Sequence, residues 1–248
     1  MNEKGKYVYC IIRCRGRRSF GKIGIGGRGD EVYTVPYRDL SAVVSDTPLV
    51  EYEPDEENAF AHEHVVDRVL SEYAVLPLKF CTIFKDEAGI RRALAKLYDK
   101  FFMEFKRLEG RVEMGVKVLW APQAAMNEIQ QVSEKVSRLK RQMSSKSFGA
   151  AHLLRTRLEK VVGQELNRKA DEYSARIYNS LKKGSDDSRL NSLIGHMIVN
   201  AAFLVRKDKL EDFKRNFELI RSEYTGKGFE FILSGPWPPY NFVTTRYS

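Results

Sequence analysis

Cysteine is scarce in this chain: Cys10, Cys14 and Cys81 are the only three in 248 residues. An odd number without paired spacing offers neither a disulfide framework nor a thiolate metal site, so buried free thiols are expected. Histidine is nearly as rare. His62, His64 and His152 read as residues of charged helical surface and His196 as part of an apolar strand, and none stands in a nucleophile–base motif. His62 and His64 lie two residues apart on a helix, pointing roughly 200° from each other, so they do not share one ion. No apolar run reaches the roughly 18–20 residues of a membrane span. The opening residues lead into a strand rather than a secretory apolar segment, so a cytoplasmic location is expected. No Walker loop, zinc cluster or paired-carboxylate motif occurs. These absences point away from catalysis: no catalytic residue, cofactor, metal, small-molecule substrate or membrane partner is expected.

What is present is an ordinary folded composition, 43% apolar and 30% charged, with a net charge of +9. The charge is unevenly placed. Residues 134–183 carry 13 Lys/Arg against 5 Asp/Glu. A basic helical arm of this kind could neutralise phosphates, which keeps a nucleic-acid-binding protein as the alternative function. The strands lack the aromatic pattern of RNA-binding sheets, which makes nucleic acid the weaker partner.

The chain opens on an apolar strand near 6–13. Gly24-Ile25-Gly26-Gly27-Arg28-Gly29 matches the letters of a dinucleotide fingerprint, but strand-like residues and Pro36 follow it where that fingerprint needs a helix. It reads as a glycine-rich hairpin turn. A helix is expected from about Asp55 to Tyr73, with Phe60, His64, Val65, Val69 and Leu70 on its apolar face. One strand is expected over 75–84. A second helix from about Asp86 to Leu108 carries Ile90, Leu94, Leu97, Phe101, Phe105 and Leu108, and Gly110 ends it. Helical sequence then runs from about 123 to 183, broken near 144–149. Ile129, Val132, Val136, Leu139 and Met143 form a heptad seam in its first part, which suits an antiparallel hairpin or one long bent helix. Strands are expected at about 190–199 and 201–205, then a helix from Asp208 to Tyr224 and a final strand. The expected fold class is α+β with two domains, 1–110 and 111–248. The second is ferredoxin-like in its β-α-β-β-α-β order, with the helical hairpin or coiled coil (about 123–183) inserted.

The end of the chain is its most distinctive stretch. Pro236, Pro238 and Pro239 surround Trp237 and precede Tyr240 and Phe242. Three missing backbone donors favour a stiff extended rod. It either folds back to close its own domain's core or presents an exposed aromatic docking strip. Ser-Gly-Pro-Trp-Pro-Pro-Tyr-Asn-Phe at 234–242 resembles the terminal signature of the gas vesicle protein F/L family. Similar motifs run through the chain: the strand pattern up to Asp39-Leu40-Ser41-Ala42-Val43-Val44-Ser45, His62-Glu63, Leu76-Pro77-Leu78-Lys79-Phe80, the Glu-x-Gly-Val-Lys-Val motif at 113–118, and Asn200-Ala201-Ala202-Phe203-Leu204-Val205. At Cys81 the family pattern has Gly, and the substitution implies a backbone free of special torsion there. The resemblance implies a non-enzymatic accessory or minor structural protein of gas vesicle formation. Its implied partners are the hydrophobic major shell protein (GvpA-like) and other accessory proteins, which it keeps from aggregating or helps to nucleate. The candidate contacts are Trp237, Tyr240 and Phe242, with Arg155 and Arg168 for acidic patches.

Overall fold

The structure is a computed structural model describing residues 4–143 and 148–244, with 148–153 described by backbone alone. The fold is mixed α/β. The chain forms two compact units, one of residues up to Glu113 together with those from Pro236 on, the other Met114–Gly235. Among the described residues no helix is long and apolar enough to cross a membrane.

In the first unit six strands make one antiparallel sheet: β1 (Lys4–Ile12), β2 (Ser19–Gly21), β3 (Val32–Tyr37), β4 (Leu40–Pro48), β5 (Val75–Pro77) and β6 (Ile83–Phe84). Their order is β2-β3-β4-β1-β5, and β6 also pairs with β1. Strand β1 is almost wholly buried on both faces, which explains its unbroken apolar run. The glycine-rich turn joins the paired β2 and β3, and the chain goes from it into a strand. Gly26, Gly27 and Gly29 there all take positive φ, a conformation glycine adopts without strain.

Helix α1 (Glu56–Leu70) starts on Asp55, whose carboxylate accepts from the Asn58 amide. Its buried residues are His62, Val65, Val66 and Val69. Phe60 and His64, expected on that face, are exposed and stack on each other. The true face is rotated because His62, not Phe60, heads it. Helix α2 (Glu87–Leu108) starts on Asp86, and all six residues of its expected stripe are buried.

The single strand expected over 75–84 is two short ones, β5 and β6. Cys81 lies between them at φ 61°, in the left-handed region. The expectation of an ordinary torsion there is therefore corrected: the Cys81 backbone takes the conformation for which glycine is the unstrained residue. The Cys81 amide donates to the Tyr7 hydroxyl and its Sγ accepts from the Tyr52 amide, which hold the turn in place.

The second unit is built from β7 (Arg111–Trp120) after its first three residues, α3 (Pro122–Val132), α4 (Glu134–Met143), α5 (Phe148–Lys182), β8 (Asp187–Leu190), β9 (Met197–Arg206), α6 (Leu210–Glu223) and β10 (Phe229–Trp237) before its last two. Its sheet order is β10-β7-β9-β8. Val116, Val118 and Trp120 of β7 and Phe203 and Val205 of β9 face Ile177, Leu181, Phe213 and Phe217 of α5 and α6 in one core. The strands placed at 190–199 and 201–205 are instead β8 and β9. A loop intervenes, pinned where the Asn200 side chain donates to the Ser192 carbonyl at 2.7 Å. His196 sits in that loop, exposed, rather than in a strand.

The helical segment runs antiparallel to itself: Glu128 accepts from the Tyr173 hydroxyl and Glu165 from Lys135. The expected break at 144–149 falls mostly outside the described residues. A different break occurs at Ser133, extended at ψ 110°, which separates α3 from α4. It interrupts the heptad seam. Val136 and Leu139 are buried, whereas Val132 is 58% exposed.

Candidate partner-binding surfaces

The terminal proline-rich segment divides in two. Strand β10 is an edge strand, which suits a stretch whose prolines cannot donate to a ladder. It ends at Trp237, which is 38% exposed. Beyond it Pro238 and Pro239 are buried and the chain turns tightly, the Phe242 amide donating to the Pro239 carbonyl at 3.0 Å. Phe242 is fully buried, and Tyr240 packs on the core of the first unit.

Two buried carboxylates hold this segment. Glu113 accepts from the Asn241 amide at 2.8 Å and from its side chain at 2.6 Å, one bond to each oxygen. Glu104 on α2 accepts from the Thr244 amide at 3.1 Å, from the Thr244 hydroxyl, and from Arg107 at 2.7 Å. Arg107 also donates to the Phe242 carbonyl. Burial alone would raise the Glu104 pKa, but the bonds from Thr244 and Arg107 outweigh it and hold the carboxyl below its usual value. A buried carboxylate is tolerated only with such partners. Of the three aromatic residues proposed as contacts, Tyr240 and Phe242 are therefore turned inward, and Trp237 is the one open to solvent.

His62 is a core residue, which corrects its placement on a charged surface. It is 3% exposed, with Tyr7, Tyr9 and Phe80 ringing it at centroid distances of 5.7–5.9 Å and Tyr240 at 6.5 Å. The Tyr7 hydroxyl lies 3.0 Å from its Nδ1. That hydroxyl also accepts from the Cys81 amide, and Nε2 is buried without a hydrogen-bond partner. Burial pushes its pKa down from 6.5 to about 4. The ring thus ties β1, α1 and the Cys81 turn together. Its spacing from Val65, Val66 and Val69 was the signal for burial. Among the described residues no group of three His, Cys, Asp or Glu could hold a metal ion.

The basic candidates lie on α5. Arg168 is tied into its own helix, to Glu165 at 3.0 Å and to Glu172. Arg155 is 73% exposed and reaches Glu159 at 3.5 Å. A groove of about 480 Å³ in the first unit is lined by Lys6, Arg17, Arg18, Ser19, Glu31, Tyr33 and Glu87. Lys6 pairs there with Asp46, Arg17 with Glu87, and Ser19 with Glu31.

Comparison with known proteins places this architecture. Gas vesicle protein L of Streptomyces sp. (strain CB03234) is 29% identical, over 97% of this chain and 93% of the relative. Gas vesicle protein F of Haloferax mediterranei is 28% identical, over 89% of this chain and 84% of the relative. The crystal structure of the gas vesicle protein GvpF from Anabaena sp. PCC7120 superposes with a TM-score of 0.84 at 19% identity, covering 98% of this chain and all of that one. That from Microcystis aeruginosa gives 0.78 at 18% identity, covering 96% and 98%. The family described as gas vesicle synthesis protein GvpL/GvpF matches residues 5–244, and the chain belongs to that family, whose role is in gas vesicle formation.

Proposed function

We propose that this protein acts without bond-making, as an accessory or minor structural component that binds the hydrophobic gas vesicle shell subunit in the cytoplasm. In this role it limits premature aggregation of the subunit or nucleates its assembly. The observation that carries the reading is Trp237: a large aromatic, flanked by prolines, exposed at the end of a nine-residue edge strand. An edge strand offers unpaired backbone groups to another strand, and an exposed aromatic beside it supplies an anchor. An unassembled apolar subunit needs both kinds of cover. Arg155 is a further candidate contact for an acidic patch. Arg168 contributes less, because its acids already lie within its own helix.

We read the second unit as ferredoxin-like with a helical-hairpin insertion. The sheet order β10-β7-β9-β8, its first and third strands central, supports this. The test is co-purification of the shell subunit with wild type and with Trp237→Ala. Capture is expected to fall about tenfold, the scale of an exposed aromatic anchor, while the melting temperature stays unchanged. Undiminished capture by the folded variant would remove Trp237 from the interface. Tyr240→Ala is the contrasting variant, expected to lower the melting temperature because its ring packs in the core.

A further inference from the structure

The charge of the helical hairpin is not spread along it. At its base, Glu128, Glu165 and Glu172 answer Lys135, Arg168 and Lys169. Beyond the Lys135–Glu165 pair the cations outnumber the acids, and the one acid there, Glu159, is taken by Arg155 at 3.5 Å. Residues 136–160 contain seven Lys/Arg and one acid, Glu159, and so hold most of the +9 of the whole chain. Arg138 on α4 and Arg157 and Lys160 on α5 are exposed, and no ion pair involves any of them among the described residues. The antiparallel register that sets residue 135 against 165 brings residues 138–141 alongside 159–162, which places Lys160 opposite Arg138's turn and Arg157 one turn further toward the tip. Leu154, Leu158 and Val161 recur there at steps of four and three and are only half-buried, although Val136 and Leu139 opposite are fully covered.

We propose that the distal half of the α4–α5 hairpin is a docking face for an acidic amphipathic helix of another protein. The partner's apolar stripe would extend the seam at Leu154, Leu158 and Val161, and its carboxylates would lie against Arg138, Arg157 and Lys160. Charge complementarity selects the sign of the partner, and the half-covered apolar stripe selects a helix over a phosphate backbone. The proposal does not involve Trp237 and stands whether or not the shell subunit binds there.

The test uses the full chain and synthetic probes: a 28-residue helical peptide with Leu at the a and d positions and Glu elsewhere on its flanks, the same peptide with Lys for Glu, the Glu peptide with Ser at a and d, and a 30-base-pair DNA duplex. Fluorescence anisotropy at 150 mM salt is expected to show binding of the Leu/Glu peptide and at least tenfold weaker binding of the other three. The triple variant R138E/R157E/K160E, checked for native helicity and melting temperature, should weaken the Leu/Glu peptide by about 10–100-fold, as expected for three screened charge contacts reversed. Arg168→Gln should change it less than about threefold, because that side chain is already paired. Equal binding of the Ser/Glu peptide or of DNA would overturn the proposal in favour of a general polyanion site. No binding of the Leu/Glu peptide, or binding indifferent to the triple variant, would also overturn it.

Discussion

The burial of His62 makes a quantitative prediction about acid stability. The fold holds this imidazole neutral, with a pKa lowered from 6.5 to about 4. A group whose folded pKa is depressed adds stability that is complete above its unfolded pKa and lost as pH falls through the folded one. Here that window runs from about pH 6.5 down to about pH 4. The full displacement corresponds to about 3 kcal/mol, of which about 2.5 is gone by pH 4.5. The variant His62→Gln keeps a side-chain oxygen for the Tyr7 hydroxyl but cannot take a charge. Urea denaturation of both proteins at pH 7.5 and pH 4.5 isolates the effect, since every other titratable group is common to the two. Wild type should lose about 2.5 kcal/mol more than the variant over that interval. Proton NMR should separately show the His62 ring still neutral at pH 5.5. Parallel losses in the two proteins, or a His62 titration centred near 6.5, would refute the argument that a desolvated ring holds this core together.

Phe242→Ala should destabilise the first unit by about 3–5 kcal/mol, because the ring is fully enclosed and leaves a cavity; calorimetry reads this directly. Glu113→Gln sets an amide donor against the two donors of Asn241 and should cost about 1–3 kcal/mol. Hydrogen exchange at Asn241 and Thr244 should quicken in the same variant. Cys81→Gly trades relief of left-handed strain against the lost Sγ contact and greater chain entropy, so its urea midpoint should stay within about 1 kcal/mol of wild type. Cys81→Val, β-branched at the same φ, should cost about 2 kcal/mol or more.

Some of this architecture was already written in local pattern. The α2 stripe repeats at steps of three and four, and a helix turns that repeat into one face whatever lies opposite it. Asp55 and Asp86 cap their helices because a carboxylate satisfies the first amides of any helix that begins there. The glycine-rich turn followed from the strand after it, and the terminal signature placed the chain in its family. Other features depended on partners distant in sequence. The spacing of His62 from Val65, Val66 and Val69 marks it for burial, but nothing in that spacing announces that Tyr7 would meet it. Cys81 takes a glycine's torsion because β5 and β6 must both pair with β1, a demand invisible in residues 75–84 themselves. Tyr240 and Phe242 turn inward while Trp237 stays outside because Glu104 and Glu113, more than a hundred residues earlier, need hydrogen-bond donors in a buried place. Periodicity and capping act within a few residues and can be read along the chain. Desolvation acts on whatever the fold brings together, so only the tertiary structure could assign these residues their roles.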